Sequence, residues 1–181
     1  MRVIILVLIA FTWPAFADVE TIEDDAGTLN PQDTGLNMLK RKIELGMTDM
    51  VTCSMGYYVT KSGNHDLARK FFQQCAEAGY PGAMTWMSQM ENNGLGGDYD
   101  PGASAEWDRR AAEAGDPVGK FNYGLDLMRG HGVPQDTELG QQYVDQAAAD
   151  GLAIAKRLQG ADYDLDEVTP DADNWKYAPL F

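Results

Sequence analysis

The sequence has few of the residues from which most active sites and metal sites are built. Only two of its 181 residues are cysteine and only two are histidine. It contains no G-x-S-x-G nucleophile motif, no H-E-x-x-H zinc motif and no P-loop lysine motif. His65 and His131 each stand alone in a predicted loop, where a histidine is usually solvated. We therefore expect no catalytic residues, no metal and no cofactor.

Positive charge is also scarce in this chain. It has 14 lysines and arginines against 28 aspartates and glutamates, which gives a formal net charge of −14 at pH 7. Such a surface repels the phosphates of nucleic acids and of anionic membranes. The charge therefore argues against a nucleic-acid-binding function. It favours either solubility alone or a partner protein whose surface is basic.

Long hydrophobic runs are absent beyond the first residues of the chain. Residues 3–11 are apolar and follow an arginine, and residues 15–17 read Ala-Phe-Ala, which is typical of a signal-peptidase site. We predict that residues 1–17 are a signal peptide and that 18–32 form an acidic, flexible arm. With no later apolar segment to span a membrane, the protein is expected to be periplasmic or secreted after cleavage near Ala17.

A five-residue sequence motif that ends in glycine occurs three times at a fixed spacing. It reads Cys-Ala-Glu-Ala-Gly at 75–79, Ala-Ala-Glu-Ala-Gly at 111–115 and Ala-Ala-Ala-Asp-Gly at 147–151. The closing glycines are 36 residues apart in both steps. A fixed period of this length is typical of a solenoid, in which each unit buries its apolar face against its neighbours.

Each closing glycine ends a predicted helix, here called helix B. Small residues stand three and four positions before the glycine, and an aromatic residue stands eight positions before it. These offsets share one side of an α-helix. We therefore expect Ala111 and Ala147 to be buried where helices approach, and Trp107 and Tyr143 to lie in the core. A second helix, helix A, follows each glycine and ends in a glycine-rich loop in two of the units.

One unit carries nearly the full pattern of a known repeat. Its residues are Gly124, Gly130, His131, Gly132, Val133, Pro134, Gln135, Asp136, Tyr143, Ala147, Ala148 and Gly151. The unit that ends at Gly115 matches nearly as well, whereas the unit that ends at Gly79 lacks the Gly-x-Gly loop. The chain thus resembles the Sel-one-like repeat (SLR) family, a branch of the tetratricopeptide-like α-solenoids. The resemblance implies an all-α fold, an α/α solenoid of helix-turn-helix repeats that forms a right-handed superhelix.

The same spacing sets the expected organisation of the chain. The solenoid is predicted over residues 33–161, with a partial unit at each end and full repeats at about 47–79, 80–115 and 116–151. Residues 162–181 follow as an acidic and aromatic C-terminal tail. Its aromatic residues are expected to cap the last repeat, and the alternative is that they form a peptide ligand for a partner.

The two cysteines are predicted to form a disulfide. Cys53 lies on a predicted helix A, and Cys75 takes the small helix B position that Ala111 and Ala147 take in the other repeats. Two cysteines on facing helices of an exported protein are expected to pair. A reactive thiol pair is the alternative, but the C-x-x-C spacing that favours it is absent.

In tetratricopeptide-like solenoids the A helices line the concave face, and the resemblance implies the same arrangement here. Trp86 and Met90 lie four residues apart, so they form either part of the core or an anchor for a partner. The candidate residues for contact with a partner are Trp86, Gln89, Met90, Asn93, Asn122, Asp126 and Arg129.

These observations predict an exported, non-catalytic module that binds a protein or peptide partner as an adaptor or regulatory subunit. Two alternatives are kept. Some cysteine-rich members of the family are described as binding or hydrolysing β-lactams, although this chain has one cysteine pair rather than one pair in each repeat. The other alternative is a protein that binds a peptide or a cell-wall fragment.

Overall fold

The computed structural model describes residues 35–168. The predicted signal peptide, the acidic arm and the aromatic end of the tail lie outside the described residues. Within residues 35–168 the chain forms eight α-helices, one short 3-10 helix over Leu165–Val168 and no β-strand. The α-helices are α1 (Gly35–Glu44), α2 (Met50–Lys61), α3 (His65–Glu77), α4 (Pro81–Asn93), α5 (Pro101–Glu113), α6 (Pro117–Arg129), α7 (Thr137–Ala149) and α8 (Ala153–Gly160). None of these helices has the length and apolarity needed to cross a bilayer.

The helices pack in chain order, each against the next. We call the pair α2 and α3 repeat one, α4 and α5 repeat two, and α6 and α7 repeat three. The A helices are then α2, α4, α6 and α8, and the B helices are α1, α3, α5 and α7. Contacts between successive helices build a helical solenoid, which confirms the predicted all-α fold class.

Aspartate and glycine set the limits of the helices. The carboxylate of Asp100 accepts a hydrogen bond from the Ala103 N–H at 2.9 Å, so it satisfies a donor that the first turn of α5 leaves unpaired. Asp136 caps α7 in the same way. At the other end of α5, Gly115 has a φ of +87°, a backbone conformation that glycine adopts without strain. The corresponding glycines of the other two repeats also have positive φ values.

The predicted seam of small residues is present in the structure. Ala111 and Ala147 are fully buried. Helices α5 and α6 approach so closely that a Cβ added to Gly119 would lie 2.4 Å from the Cβ of Ala111. The phase assigned to helix B from the 36-residue period is therefore confirmed at these positions.

The expectation that Trp107 and Tyr143 lie in the core is met only in part: both side chains are half-buried, and Trp107 packs against the edge of the core. The guanidinium carbon of Arg110 lies 4.1 Å from the centroid of the Trp107 ring, and Tyr143 meets Tyr123 edge-on at 5.1 Å between centroids. In repeats two and three, the helix B position eight residues before the closing glycine therefore lies at the edge of the buried stripe rather than at its centre. Only Phe71, the corresponding residue of repeat one, is fully buried.

The glycine-rich loops join neighbouring repeats. A Cβ added to Gly96 would lie 2.7 Å from the carbonyl oxygen of His65, and one added to Gly132 would lie 1.9 Å from that of Pro101. Each loop therefore passes over the first residue of the preceding repeat's B helix, and only glycine fits there. Repeat one has no such loop, since α2 and α3 are joined by a turn of only three residues, 62–64.

Candidate functional site

An open groove between α2 and α4 is lined largely by aromatic side chains. We call it the aromatic groove, and it encloses about 470 Å³. The ring of Trp86 stacks on Phe72 with 5.2 Å between centroids and meets the edge of Tyr57 at 5.6 Å. The residues that line the aromatic groove are Met50, Cys53, Ser54, Tyr57, Tyr58, Phe72, Tyr80, Pro81, Gly82, Ala83 and Trp86.

The predicted disulfide lies beside this groove. Cys53 of α2 and Cys75 of α3 are joined by an S–S bond of 2.04 Å, with 5.8 Å between their Cα atoms. Cys75 is fully buried, whereas Cys53 also contributes to the groove wall. The bond therefore links α2, the helix that carries Tyr57 and Tyr58, covalently to α3.

Four of the seven predicted contact residues lie at or near the surface on helices A. Trp86 is half-buried in the groove wall, and Gln89 and Asn93 are exposed on the following turns of α4. The Asn93 amide donates a hydrogen bond of 2.7 Å to the carbonyl oxygen of Gln89. Arg129 is exposed at the end of α6.

Met90 was also predicted to contact a partner, and this prediction is wrong. Its side chain is fully buried and belongs to the core that α4 shares with α3. Trp86 and Met90 do lie on one side of α4, but that side is partly exposed at Trp86 and fully buried at Met90. Burial of a methionine among other apolar side chains is favourable, so Met90 stabilises the repeat and does not reach a ligand.

The remaining two predicted residues, Asn122 and Asp126, lie in a polar cluster where α4, α5 and α6 meet. At its centre is Asp108 of α5, whose side chain is only 3% exposed. The Ser88 hydroxyl donates a hydrogen bond to one Asp108 oxygen, and the Asn122 amide donates to the other at 3.1 Å. The hydroxyl of Ser104 lies 3.1 Å from that of Ser88. Each oxygen of the Asp108 carboxyl thus accepts one hydrogen bond inside the protein.

Asp126 completes the cluster without such satisfaction. Its Oδ2 atom is buried and has no hydrogen-bond partner. Burial and, to a smaller extent, the charge of Asp108 raise the pKa of Asp126 to about 8, although the nearby Arg129 lowers it. Burial likewise raises the pKa of Asp108 to about 7, against the hydrogen bonds from Ser88 and Asn122. Both shifts favour the protonated form of these carboxyls near neutral pH.

Sequence reasoning missed Asp108 because an aspartate on a helix is normally assigned to its solvated face. The repeat spacing does contain a signal. Asp108 stands 36 residues after Phe72 and 36 before Val144, both of which are buried. A carboxyl group at a position that is apolar in the neighbouring repeats indicates a buried polar cluster.

The two histidines lie apart from this cluster. The Nε2 atom of His131 is 2.8 Å from the Asn92 side-chain oxygen, and the Nδ1 atom of His65 is buried with no partner. In the part of the chain that the structure describes, no three histidine, cysteine, aspartate or glutamate side chains come together in a way that could hold a metal ion.

Three solved structures share this architecture. A Sel1 repeat protein from Oxalobacter formigenes is 32% identical, with 71% of this chain and 98% of that one covered and a TM-score of 0.58. The protective antigen c5321 of uropathogenic Escherichia coli strains, which displays an SLR fold, is 26% identical with a TM-score of 0.60. That match covers 68% of this chain and 28% of the antigen, so the chain spans less than a third of its length.

Cysteine rich protein B of Helicobacter pylori also matches, with a TM-score of 0.57 over 70% of this chain and 98% of that one. At 17% identity this likeness concerns the fold alone. No curated protein matches the sequence significantly.

The repeat itself also matches a family. The Sel1 repeat profile matches residues 44–80, 81–116 and 117–152, which together are more than half of the chain. Proteins built from Sel1 repeats are generally protein-interaction modules. With three matching repeats and a solenoid fold shared with Sel1 repeat structures, the chain belongs to the Sel1 repeat family.

Proposed function

We propose that this protein is an exported, non-catalytic interaction module that acts as an adaptor or regulatory partner. It binds an extended segment of a basic partner protein along the side of the solenoid formed by α2, α4 and α6. The observation that carries this proposal is the aromatic groove, because it is a concave and mainly apolar surface on the helices that tetratricopeptide-like solenoids use for binding.

The groove offers apolar surface that the protein itself leaves open. Tyr58 is 65% exposed, Met50 is 75% exposed and Tyr57 is 43% exposed. A large apolar side chain buried in such a groove contributes about 1.5–3 kcal/mol. Aromatic residues around a pocket are typical of the few contacts that dominate a protein interface. One aromatic or aliphatic side chain of the partner is therefore the expected anchor.

The residues beyond the groove and the overall charge define the rest of the partner. The exposed amides of Gln89 and Asn93 offer donors and acceptors to the backbone of an extended segment. With a net charge of −14, the protein attracts lysine and arginine residues on either side of the anchor. The partner segment is thus expected to be extended and basic, with a single apolar anchor.

A displayed library of random twelve-residue peptides tests this proposal. The mature protein is expected to enrich peptides that carry an aromatic or aliphatic residue flanked by lysine or arginine. Tyr57→Ala should weaken the best peptide at least tenfold, since it removes one wall of the groove. Gln142→Ala, an exposed substitution on the B helix α7, is the matched control and should bind like the native protein.

The outcomes separate the parts of the proposal. Absence of any enriched peptide, or equal binding by Tyr57→Ala and the native protein, would contradict the groove as the binding site. A β-lactam hydrolysis assay on the same protein tests the enzymatic alternative and is expected to detect no turnover. Export is tested separately, by recovering the protein outside the cytoplasm with an N-terminus near Asp18.

A further inference from the structure

Two equivalent joints in this solenoid are built from different kinds of residue. The joint between repeats one and two, where α3 meets α4, is mainly apolar, although it also holds the Arg69–Glu91 ion pair, and we call it the apolar joint. The joint between repeats two and three, where α5 meets α6, contains the polar cluster, and we call it the acidic joint. The equivalent positions, 36 residues apart, are Phe72 and Asp108, Trp86 and Asn122, and Met90 and Asp126.

The contacts at the two joints follow this exchange of residues. In the apolar joint, Phe72 and Trp86 stack at 5.2 Å between ring centroids. In the acidic joint, the residues equivalent to Phe72 and Trp86 are Asp108 and Asn122, and the Asn122 amide donates a hydrogen bond of 3.1 Å to Asp108. A stacked aromatic pair has thus been replaced by a pair that includes an ionisable group.

The second exchange adds another ionisable group to the same joint. Met90 is fully buried in the apolar joint, and its equivalent, Asp126, has a buried oxygen without a hydrogen-bond partner. When Asp126 is ionised, this oxygen has lost its hydration without gaining a compensating bond. The neutral, protonated form of Asp126 avoids this cost.

The surrounding charges do not neutralise the pair. On the α6 side, Asp116 raises the pKa of Asp108, whereas Arg129 lowers that of Asp126. On the α4 side, the group that meets Asp108 is the uncharged hydroxyl of Ser88. The buried Glu91 of α4 is instead paired with Arg69 of α3, within the apolar joint.

We propose that the acidic joint is a pH-sensitive element, which holds repeats two and three together while the carboxyl pair retains a proton and loosens when both carboxyls are ionised. The two members of the pair lie on different repeats, Asp108 on α5 and Asp126 on α6. Repulsion between their charges therefore acts across the contact between repeats rather than within one helix pair. The apolar joint has no such pair and serves as an internal reference.

The direction of the pH dependence follows from proton linkage. The pKa values of both carboxyls are raised in the folded protein above the value of 3.8 expected for aspartate. The folded state consequently binds more protons than the unfolded state between about pH 4 and pH 8. Stability is expected to fall as the pH rises through this range, and the penalty is complete once both groups are ionised, above about pH 8.

The most direct test is a titration of the side-chain carboxyl carbons of the native mature protein by NMR. At least one of Asp108 and Asp126 is expected to titrate with a midpoint above pH 6. Midpoints at or below pH 6 for both groups would overturn the proposal. This measurement needs no variant, so it decides the question even if substitutions in the cluster prevent folding.

A second test asks whether the proton acts on the joint. Between pH 6 and pH 9 the melting temperature of the native protein is expected to fall by about 5 °C, and hydrogen exchange corrected for its intrinsic rate should increase in α5 and α6 more than in α3 and α4. Asp126→Asn should remove most of both changes, because its amide stays neutral. An unchanged pH dependence in Asp126→Asn, or equal exchange at the two joints, would refute the mechanism.

The matched control is Asp98→Asn, which removes one charge from an exposed loop residue. It should keep the pH dependence of the native protein. If Asp98→Asn flattens the curve as much as Asp126→Asn does, the effect is one of overall charge and the acidic joint is not its source. Neither variant alters the aromatic groove, so failure of this proposal is distinguishable from failure of the proposed binding function.

Discussion

Single residues in this solenoid are understood best by comparison with their equivalents 36 positions away. Cys75, Ala111 and Ala147 take the same place in three B helices, and all three are fully buried. Their small side chains allow helices of the same and neighbouring repeats to approach closely. The side chain at this place must therefore be small in every repeat, whatever its chemistry.

The first prediction concerns this position in repeat three. Ala147→Leu adds three carbon atoms at a fully buried site, and we expect it to lower the free energy of unfolding by roughly 1–3 kcal/mol. Chemical denaturation of the variant and the native protein gives the difference. Ala149→Leu, at an exposed position of the same helix, is the control and should change stability little. Similar losses in both variants would indicate an effect of helix propensity rather than of packing.

At the scale of the elements, α2 is an A helix that the disulfide links to its neighbour α3. It carries one side of the aromatic groove, and several of its side chains, including Val51 and Tyr58, are largely exposed. The disulfide joins it to α3 across a sequence separation of 22 residues. In the chain-entropy description, closing such a loop stabilises the folded state by about 3 kcal/mol.

Reduction of this disulfide is accordingly expected to lower the melting temperature by about 10 °C. Thermal melts with and without a reductant measure the change. The control is the double variant Cys53→Ala with Cys75→Ala, which removes both thiols and places at position 75 the alanine that repeats two and three have there. Its melting temperature should not respond to reductant. Two free thiols in a non-reducing peptide map of the exported protein would contradict the pairing.

The helices were predicted best where the same residue pattern recurs, because agreement among three copies identifies positions that a single copy does not. Helix B, its closing glycine and the buried alanines follow from three aligned copies of one pattern. The polar cluster did not follow, because the aspartates of this acidic chain are individually indistinguishable from solvated ones. Met90 was misplaced for a related reason, since helical spacing puts Trp86 and Met90 on one stripe but does not say where that stripe enters the core.

At the scale of the whole molecule, the solenoid described over residues 35–168 begins with α1 and ends with α8 and the short 3-10 helix. At the C-terminal end, Leu158 of α8 is fully buried and packs in one apolar cluster with Val168, Tyr163 and Leu165. The segment that follows α8 therefore already covers part of the last helix. At the N-terminal end, Leu45 and Met50 remain 67% and 75% exposed. The two ends thus differ in how much apolar surface they leave open.

The last prediction concerns the aromatic end of the tail, residues 174–181, which lies outside the described residues. We propose that Trp175, Tyr177 and Phe181 extend the cover that Val168 begins. Deleting residues 174–181 is then expected to lower the melting temperature and to promote self-association, because an uncovered solenoid end offers its apolar face to another copy.

A length-matched variant separates composition from length in this experiment. Replacing the three aromatic residues by serine should reproduce both effects of the deletion in thermal melts and size-exclusion runs, because apolar cover and not chain length is the cause. If both variants melt and elute like the native protein, the tail does not cover the solenoid. If these variants instead lose binding to the peptide or partner while keeping the stability of the native protein, the tail takes part in recognition. A tail that serves as a ligand can be removed without exposing the core of the solenoid.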